Sequence, residues 1–261
     1  METKKVTKED SVLRNSHRAL LLDNLRKSVE DNCGLIFAFW HNREGEATVS
    51  YSFEEIWFEA GYVARDLILN KGLEKGDRII LSYEHGLEFF IAFLGCLRAG
   101  IIPVFVCTPL EDEYMDTNLF VRLSAIHMDC DAKLILVDLP TKNSLSSNGD
   151  IFHDDVGMPF HVHPKMPKDL TRNEKMRFTD DNIPSEPTNI DEHAFLQYSY
   201  IKKTEGEIHS KVVAVSFSEL KANVENFIDW SLQKCYFEDK SLEKIKLFSW
   251  LLHDYKGLGK L

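Results

Sequence analysis

Arg78 to Cys107 reads RIILSYEHGLEFFIAFLGCLRAGIIPVFVC, and the order of its periods decides the fold. Arg78 to Tyr83 is a β-branched and apolar run of strand length. Gly86 to Ala99 has helical length and is apolar nearly all round, the pattern of a helix covered on most sides. Gly100 closes it, since glycine accepts the left-handed backbone at a helix end, and Ile101 to Cys107 is a second strand. Further on, Tyr114 to Asp129 carries Leu119, Phe120, Leu123 and Ile126 on one helical face, and Ala132 to Val137 is another strand of buried type. Strand, helix, strand, helix, strand in that order requires parallel pairing through right-handed crossovers. The fold class is α/β, a mostly parallel sheet flanked by helices.

Toward the N-terminus, Leu35 to Trp40 and Thr48 to Tyr51 read as a β-hairpin around the polar turn His41 to Glu46. Phe53 to Asn70 is helical, with Ser52 and Glu55 at capping-box spacing and Gly72 as its stop. Beyond Val137 the character changes. Six of the chain's eight prolines fall between Pro140 and Pro187, so a long, irregular connection is expected there. After it, Ala194 to Tyr198 and Lys211 to Val215 read as short strands and Phe217 to Leu232 as a helix capped by Ser218. Ile245 to Trp250 reads as a last strand. The expected organisation is a first α/β subdomain over residues 1–139, the proline-rich connection over 140–192, and the start of a second subdomain over 193–261.

Composition narrows the function. The chain has 261 residues, 44% hydrophobic and 28% charged, the balance of a globular protein with a real core. Its formal net charge of -11 argues against nucleic acid and anionic membrane as partners, since both need a basic face. No apolar run is long enough to span a bilayer, because Arg98 and Pro103 interrupt the longest one. Cys33, Cys96, Cys107, Cys130 and Cys235 form no C-x-x-C pair and read as reduced, mostly buried thiols of a cytoplasmic protein.

Chemistry is sought first in HAFLQYSYIKKTEGEIHSKVVAVSFSELKAN, from His193 to Asn223. A strand runs into a polar loop and a second strand leads out to a helix. Such a loop cradles phosphate when its backbone amides converge and hydroxyls and a lysine reach the anion. The candidates are Ser199, Thr204, Gly206, Ser210 and Lys211, although on composition alone an ordinary surface hairpin is the better account. His161-x-His163 has the spacing of a metal pair but no third ligand, and reads as part of a solvated loop. Ser216 and Ser218 have no partner histidine and acid at recognisable spacing. Adjacent residues on a strand end point apart, so His253-Asp254 reads as pocket lining and not as an acid–base pair.

On these residues the sequence resembles the adenylate-forming (AMP-binding) superfamily, and within it the fatty acyl-AMP ligase branch. GLEFFIAFLGCLRAGIIPV, from Gly86, is similar to that branch's G-x-x-F-x-x-A-F-x-G-C-x-x-A-G-x-x-x-V helix and strand. YSFEEIWFEAGYVARDLILNKGLEKGDRIILSY, from Tyr51, and RLSAIHMDCDAKLILVD, from Arg122, resemble its flanking elements. AFLQYS, from Ala194, resembles the strand entering the family's phosphate loop, and Lys211, Val213 to Ser216 and Leu220 to Asn223 its exit. FSWLLHD, from Phe248, is similar to the S-W-L-P-x-x-H-D-M-G-L motif beside the acyl and adenine pocket, which implies pocket roles for Trp250, His253 and Asp254.

The resemblance implies the Rossmann-like N-terminal domain of an adenylate-forming enzyme, preceded by a β-hairpin and incomplete, corresponding to about the first half of a ligase. It further implies ATP and Mg2+ as cofactors, and a fatty acid and an acyl carrier protein as partners. The family's loop is a glycine-rich Ser/Thr run, whereas YIKKTEGEIHSKV has one glycine and places Glu205 and Glu207 where a triphosphate would sit. Losing two hydroxyl bonds to a charged phosphate costs about 3–6 kcal/mol. The loop therefore reads as degenerate, and activity as absent or very weak. The alternative is a non-catalytic binding or scaffolding protein resembling the disco-interacting proteins. An uncovered strand near Trp250 would leave an apolar sheet edge, so self-association is also expected.

Overall fold

The computed structural model describes residues 17–41, 47–83, 86–106, 119–147, 159–180, 192–202 and 208–235. Helix α1 (His17–Asn32) leads to an antiparallel hairpin of β1 (Ile36–His41) and β2 (Ala47–Ser52), followed by α2 (Phe53–Arg65). Then come β3 (Arg78–Ser82), α3 (Leu87–Ala99), β4 (Ile102–Phe105), α4 (Leu119–Cys130), β5 (Ala132–Val137) and α5 (Leu139–Ser147). The described part closes with β6 (Phe160–Val162), α6 (Arg172–Asp180), β7 (His193–Lys202), β8 (Ile208–Ser216) and α7 (Phe217–Cys235).

Six strands form one sheet in the order β6-β5-β3-β4-β7-β8. Every pairing is parallel except β7 with β8. The chain steps from β3 to β4 on one side, then crosses back to β5 on the other. That reversal makes the β3/β5 junction a topological switch point, and open α/β sheets bind ligands outside the carboxyl ends of their strands. The mostly parallel α/β sheet anticipated from the order of periods is the fold observed.

Alternation of side chains explains the layers. Ile79, Leu81, Leu134 and Leu136 face α2 and α3, packing with Val63, Leu67, Ile91 and Cys96. Ile80, Ile135 and Val137 face the other way, against Leu123 and Ile126 of α4. Both faces are covered, so β3 and β5 are continuous apolar runs instead of alternating ones. Helices α2 and α3 approach closely because Gly95 has no side chain: a Cβ there would stand 2.7 Å from Val63 Cγ1 and 3.0 Å from the Ala60 carbonyl oxygen.

Caps follow the expected chemistry with one correction. Ser52 Oγ accepts from Glu55 N at 3.2 Å and Glu55 Oε2 accepts from Ser52 N at 2.7 Å, a complete capping box for α2. Gly72 and Gly100 take φ of 66° and 76°, the left-handed region where a Cβ is costly. Before reaching Gly72, α2 widens into a π turn over Asp66–Asn70. The cap of α7 is Ser216, not Ser218. Ser216 Oγ accepts from Glu219 N at 3.2 Å and Glu219 Oε2 accepts from Ser216 N at 2.7 Å, because only Ser216 stands three residues before a glutamate.

Residues 159–180 differ most from expectation. Read as part of an irregular connection, they instead supply β6, parallel to β5 through Ile135–Phe160, Leu136–His161 and Val137–Val162, and then α6 against α2. The four residues between Pro159 and Pro164 are too few to show a period in sequence. Helix α6 is held by buried Arg98, which donates to the carbonyls of Trp57 at 2.6 Å and Thr179 at 2.9 Å. Its guanidinium carbon also lies 3.8 Å over the Trp57 ring. The strands read at Ala194 to Tyr198 and Lys211 to Val215 are longer than expected, and both extend the sheet built by residues 78–162. The strand expected at Ile245 to Trp250 lies outside the described residues.

Gly95→Ala sets helix propensity, which favours alanine by up to about 1 kcal/mol, against overpacking onto fully buried Val63. Overpacking wins, and a net loss of about 1–2 kcal/mol is expected in urea unfolding. Gly34→Ala, where a Cβ meets nothing within 4 Å, serves as the near-neutral control.

Candidate functional site

Strands β3, β4, β5, β6 and β7 run parallel, so their carboxyl ends share one edge of the sheet. Strand β7 ends and β8 begins at that edge. Leu196 and Gln197 of β7 pair with Val104 and Phe105 of β4, which ties the hairpin to the sheet just before it projects. In the ladder Ser199 stands opposite Lys211 and Tyr200 opposite Ser210. Three of the five phosphate candidates are thus brought to adjoining rungs, and Lys211 is exposed. Thr204 and Gly206 lie outside the described residues, as do Trp250, His253 and Asp254.

The base of the hairpin is anchored by Tyr198. Its ring is buried with Leu123, Ile126 and Val104, and its hydroxyl donates to Asp129 Oδ2 at 2.5 Å. Burial and the Asp129 carboxylate both push the phenol well above its ordinary range, so it stays a donor at any working pH. These partners are 69 residues apart, a pairing that no sequence period announces.

Farther along the same edge, polar groups gather where β3, β5 and β6 end. The buried Tyr83 hydroxyl and His163 Nδ1 are hydrogen-bonded at 2.8 Å. His161 Nε2 lies 2.6 Å from Asp66 Oδ2. Burial opposes ionisation of Asp66, but hydrogen bonds from His161 and Asn70 outweigh it and hold the carboxyl below its usual range. Lys165 pairs with Glu88 at 2.8 Å, and Glu59, raised by burial, accepts from Met166 N at 3.2 Å. The two histidines expected in a solvated loop are therefore structural. They sit two residues apart on one face of a short strand and seal it against β3 and the π turn. Asp138 Oδ1 accepts from Thr141 N at 2.7 Å at the start of α5.

Among the described residues no group of three or more His, Cys, Asp or Glu side chains is placed to hold a metal ion. A cleft of about 390 Å³ lies at the opposite, amino end of the sheet, where Lys75 and Glu192 are paired at 3.2 Å. It is remote from the hairpin, and its charges neutralise one another. Among the described cysteines Cys96 is buried, with its thiol pushed far up by burial, Cys130 is half-buried and Cys33 is exposed.

The family profile described as AMP-binding enzyme matches residues 25–199, which include the sheet core and the strand entering the candidate loop. The chain belongs to the AMP-binding enzyme family. Among relatives of this AMP-binding chain, the medium-chain-fatty-acid–[acyl-carrier-protein] ligase JamA of Moorena producens is 30% identical over 164 residues. That match takes in 62% of this chain and 25% of JamA. Human disco-interacting protein 2 homolog B is 34% identical over 82 residues, 31% of this chain and 5% of that one. The fold matches the Legionella pneumophila fatty acyl-adenylate ligase solved with acyl adenylate and pyrophosphate, with a TM-score of 0.57 at 22% identity. That alignment covers 85% of this chain and 33% of the ligase. The chain spans a quarter of the length of JamA and a third of the Legionella ligase, less than the half implied by the motifs. Partial coverage of this kind fits the N-terminal portion of an adenylate-forming enzyme.

Burial lowers His163 to about 4 from an ordinary 6.5. Its folded value lies below its unfolded one, so the unfolded chain binds the extra proton and stability falls as pH drops from about 6.5 toward 4. The full shift corresponds to roughly 3 kcal/mol at most. His163→Gln removes this titration. Urea unfolding at pH 7 and pH 4.5 should show the unsubstituted chain losing about 2 kcal/mol more than the variant over that interval.

Proposed function

We propose that the chain is the N-terminal, phosphate-facing portion of a fatty acyl-AMP ligase-like protein. The observation that supports this most is the β7–β8 hairpin, which an AMP-binding fold carries at the carboxyl edge of its sheet with Ser199, Ser210 and Lys211 on adjoining rungs. JamA, named for joining medium-chain fatty acids to acyl carrier protein, supports a fatty acid and a carrier protein as partners of the whole protein. ATP would supply the adenylate, and Mg2+ would neutralise its phosphates. Ser199, Thr204, Gly206, Ser210 and Lys211 are the residues we assign to the phosphates, and Trp250, His253 and Asp254 to the acyl and adenine side. Exposed Lys211 is a cation of the kind a polyphosphate requires. Reduced thiols are in keeping with a cytoplasmic protein, and no helix among the described residues is long and apolar enough to cross a membrane.

Carboxyl activation depends on pre-placed charge and hydrogen-bond donors around the phosphates. Glu205 and Glu207 work against that, and a single glycine leaves few backbone amides free to turn inward. On this ground we read the chain as inactive or very weak in adenylation. A second reading, a non-catalytic binding or scaffolding module, draws support from the same loop composition and from the similarity to disco-interacting protein 2 homolog B.

The two readings separate in one assay. With ATP, Mg2+ and a medium- or long-chain fatty acid, the chain should release pyrophosphate at two to four decades below a complete ligase, as expected from about 3–6 kcal/mol of lost phosphate contacts. Lys211→Ala should abolish that residue of activity. Turnover comparable to a complete ligase would reject the degenerate-loop reading, and no fatty-acid-dependent signal with unimpaired folding would favour the scaffold.

A further inference from the structure

The chain leaving β6 crosses the carboxyl edge of the sheet. His163 N donates to the carbonyl of Val137, the last residue of β5, at 2.7 Å. Its ring reaches past β5 to the Tyr83 hydroxyl, just beyond the end of β3, at 2.8 Å. Lys165 then pairs with Glu88 in the first turn of α3 at 2.8 Å, and Met166 N donates to Glu59 Oε2 of α2 at 3.2 Å. Residues 163–166 thus lie across the carboxyl ends of β5 and β3, the topological switch point of the sheet. Two fully buried hydroxyls at these strand ends, Ser82 of β3 and Thr141 in the first turn of α5, have no hydrogen-bond partner among the described residues. This edge therefore carries polar capacity that the closed chain leaves unused.

We propose that residues 163–166 are a strap over the switch point, latched by His163 and released when that ring takes up a proton. The two histidines of this segment answer protonation in opposite ways. His161 faces the Asp66 carboxylate at 2.6 Å, which is held ionised below its usual range, so a charge on that ring is compensated and β6 stays in place. His163 faces instead a phenol that burial keeps protonated. Around it stand Glu88 and Cys96 of α3, Asp138 at the end of β5, Glu59 of α2 and Tyr51 of β2. Each of the three carboxylates is already engaged: Glu88 by Lys165, Asp138 by Thr141 N at 2.7 Å and Glu59 by Met166 N. Lys165 and His161 add like charge. A proton on buried His163 therefore goes uncompensated until the strap lifts and the ring meets water. Burial lowers the closed ring to about 4 from an ordinary 6.5, so opening is favoured as pH falls through that interval. This inference does not depend on adenylation.

Amide exchange followed by NMR tests this in the full chain, since it reads local opening even where the closed form predominates. His163 N reports the latch through its bond to the Val137 carbonyl. Ile135 N, which donates to the Pro159 carbonyl at 3.0 Å, reports the attachment of β6. Between pH 7 and pH 4.5, with intrinsic exchange rates normalised, protection of the His163 amide should fall about 50-fold while that of Ile135 holds within about twofold. His163→Gln should flatten the pH response at that position. Tyr83→Phe, which removes only the latch hydroxyl, should lower protection of the His163 amide at pH 7 by about tenfold. Equal losses at His163 and Ile135 would mean that β6 leaves as a whole and would overturn the proposal. An undiminished pH response in His163→Gln, or an unchanged His163 amide in the unsubstituted chain, would overturn it equally.

Discussion

Burial of β3 and β5 on both faces is the constraint on which the rest of the structure depends. Ile79 and Leu81 are committed to α2 and α3, Ile80 to α4, and no one-residue slip of β3 satisfies both. With β3 fixed, β4 must run parallel on one side and β5 on the other, and the carboxyl ends of all three align. That alignment determines where β7 delivers the hairpin. The candidate site is therefore a consequence of core packing before it is a matter of loop chemistry.

A second layer of organisation is polar and holds the outer elements. Residues 160–180 contribute little to the main apolar clusters, yet they are fastened by His161 to Asp66, His163 to Tyr83, Lys165 to Glu88, Arg172 to Glu54, and by Arg98 to the Thr179 carbonyl. These contacts are not equivalent. The exposed Arg172–Glu54 pair is screened and adds little, whereas Arg98 and His163 are buried and leave unsatisfied groups if broken. The same principle operates at the hairpin, where one buried hydroxyl on Tyr198 ties β7 to the last turn of α4.

Much of this was legible in the chain itself, for identifiable reasons. The run from Arg78 to Val137 could be read because its periods are long and its glycine stop at Gly100 is chemically specific. The Ser52–Glu55 cap was equally plain, and Ser216-Phe217-Ser218-Glu219 carried the same signal, overlooked in favour of the nearer serine. Strand β6 could not be found this way. Four residues between prolines hold no period, and what makes three of them a strand is the edge of β5 beside them. Among site residues, Ser199, Ser210 and Lys211 were identified from composition and order, while Tyr198 and Asp129 gave no sign of each other.

Sequence alone determined the α/β class, the parallel order of the central strands, the position of a polar loop between two strands, and the single glycine and two glutamates within it. These are local properties, set by period, by the backbone freedom of single residues and by the charge each side chain carries wherever it lies. Only the tertiary structure decided that His161 and His163 are seals instead of ligands, that Arg98 anchors α6, and that β7 joins the sheet beside β4. Each of those depends on which groups meet across tens of residues, and such meetings are chosen by the packing of the whole chain.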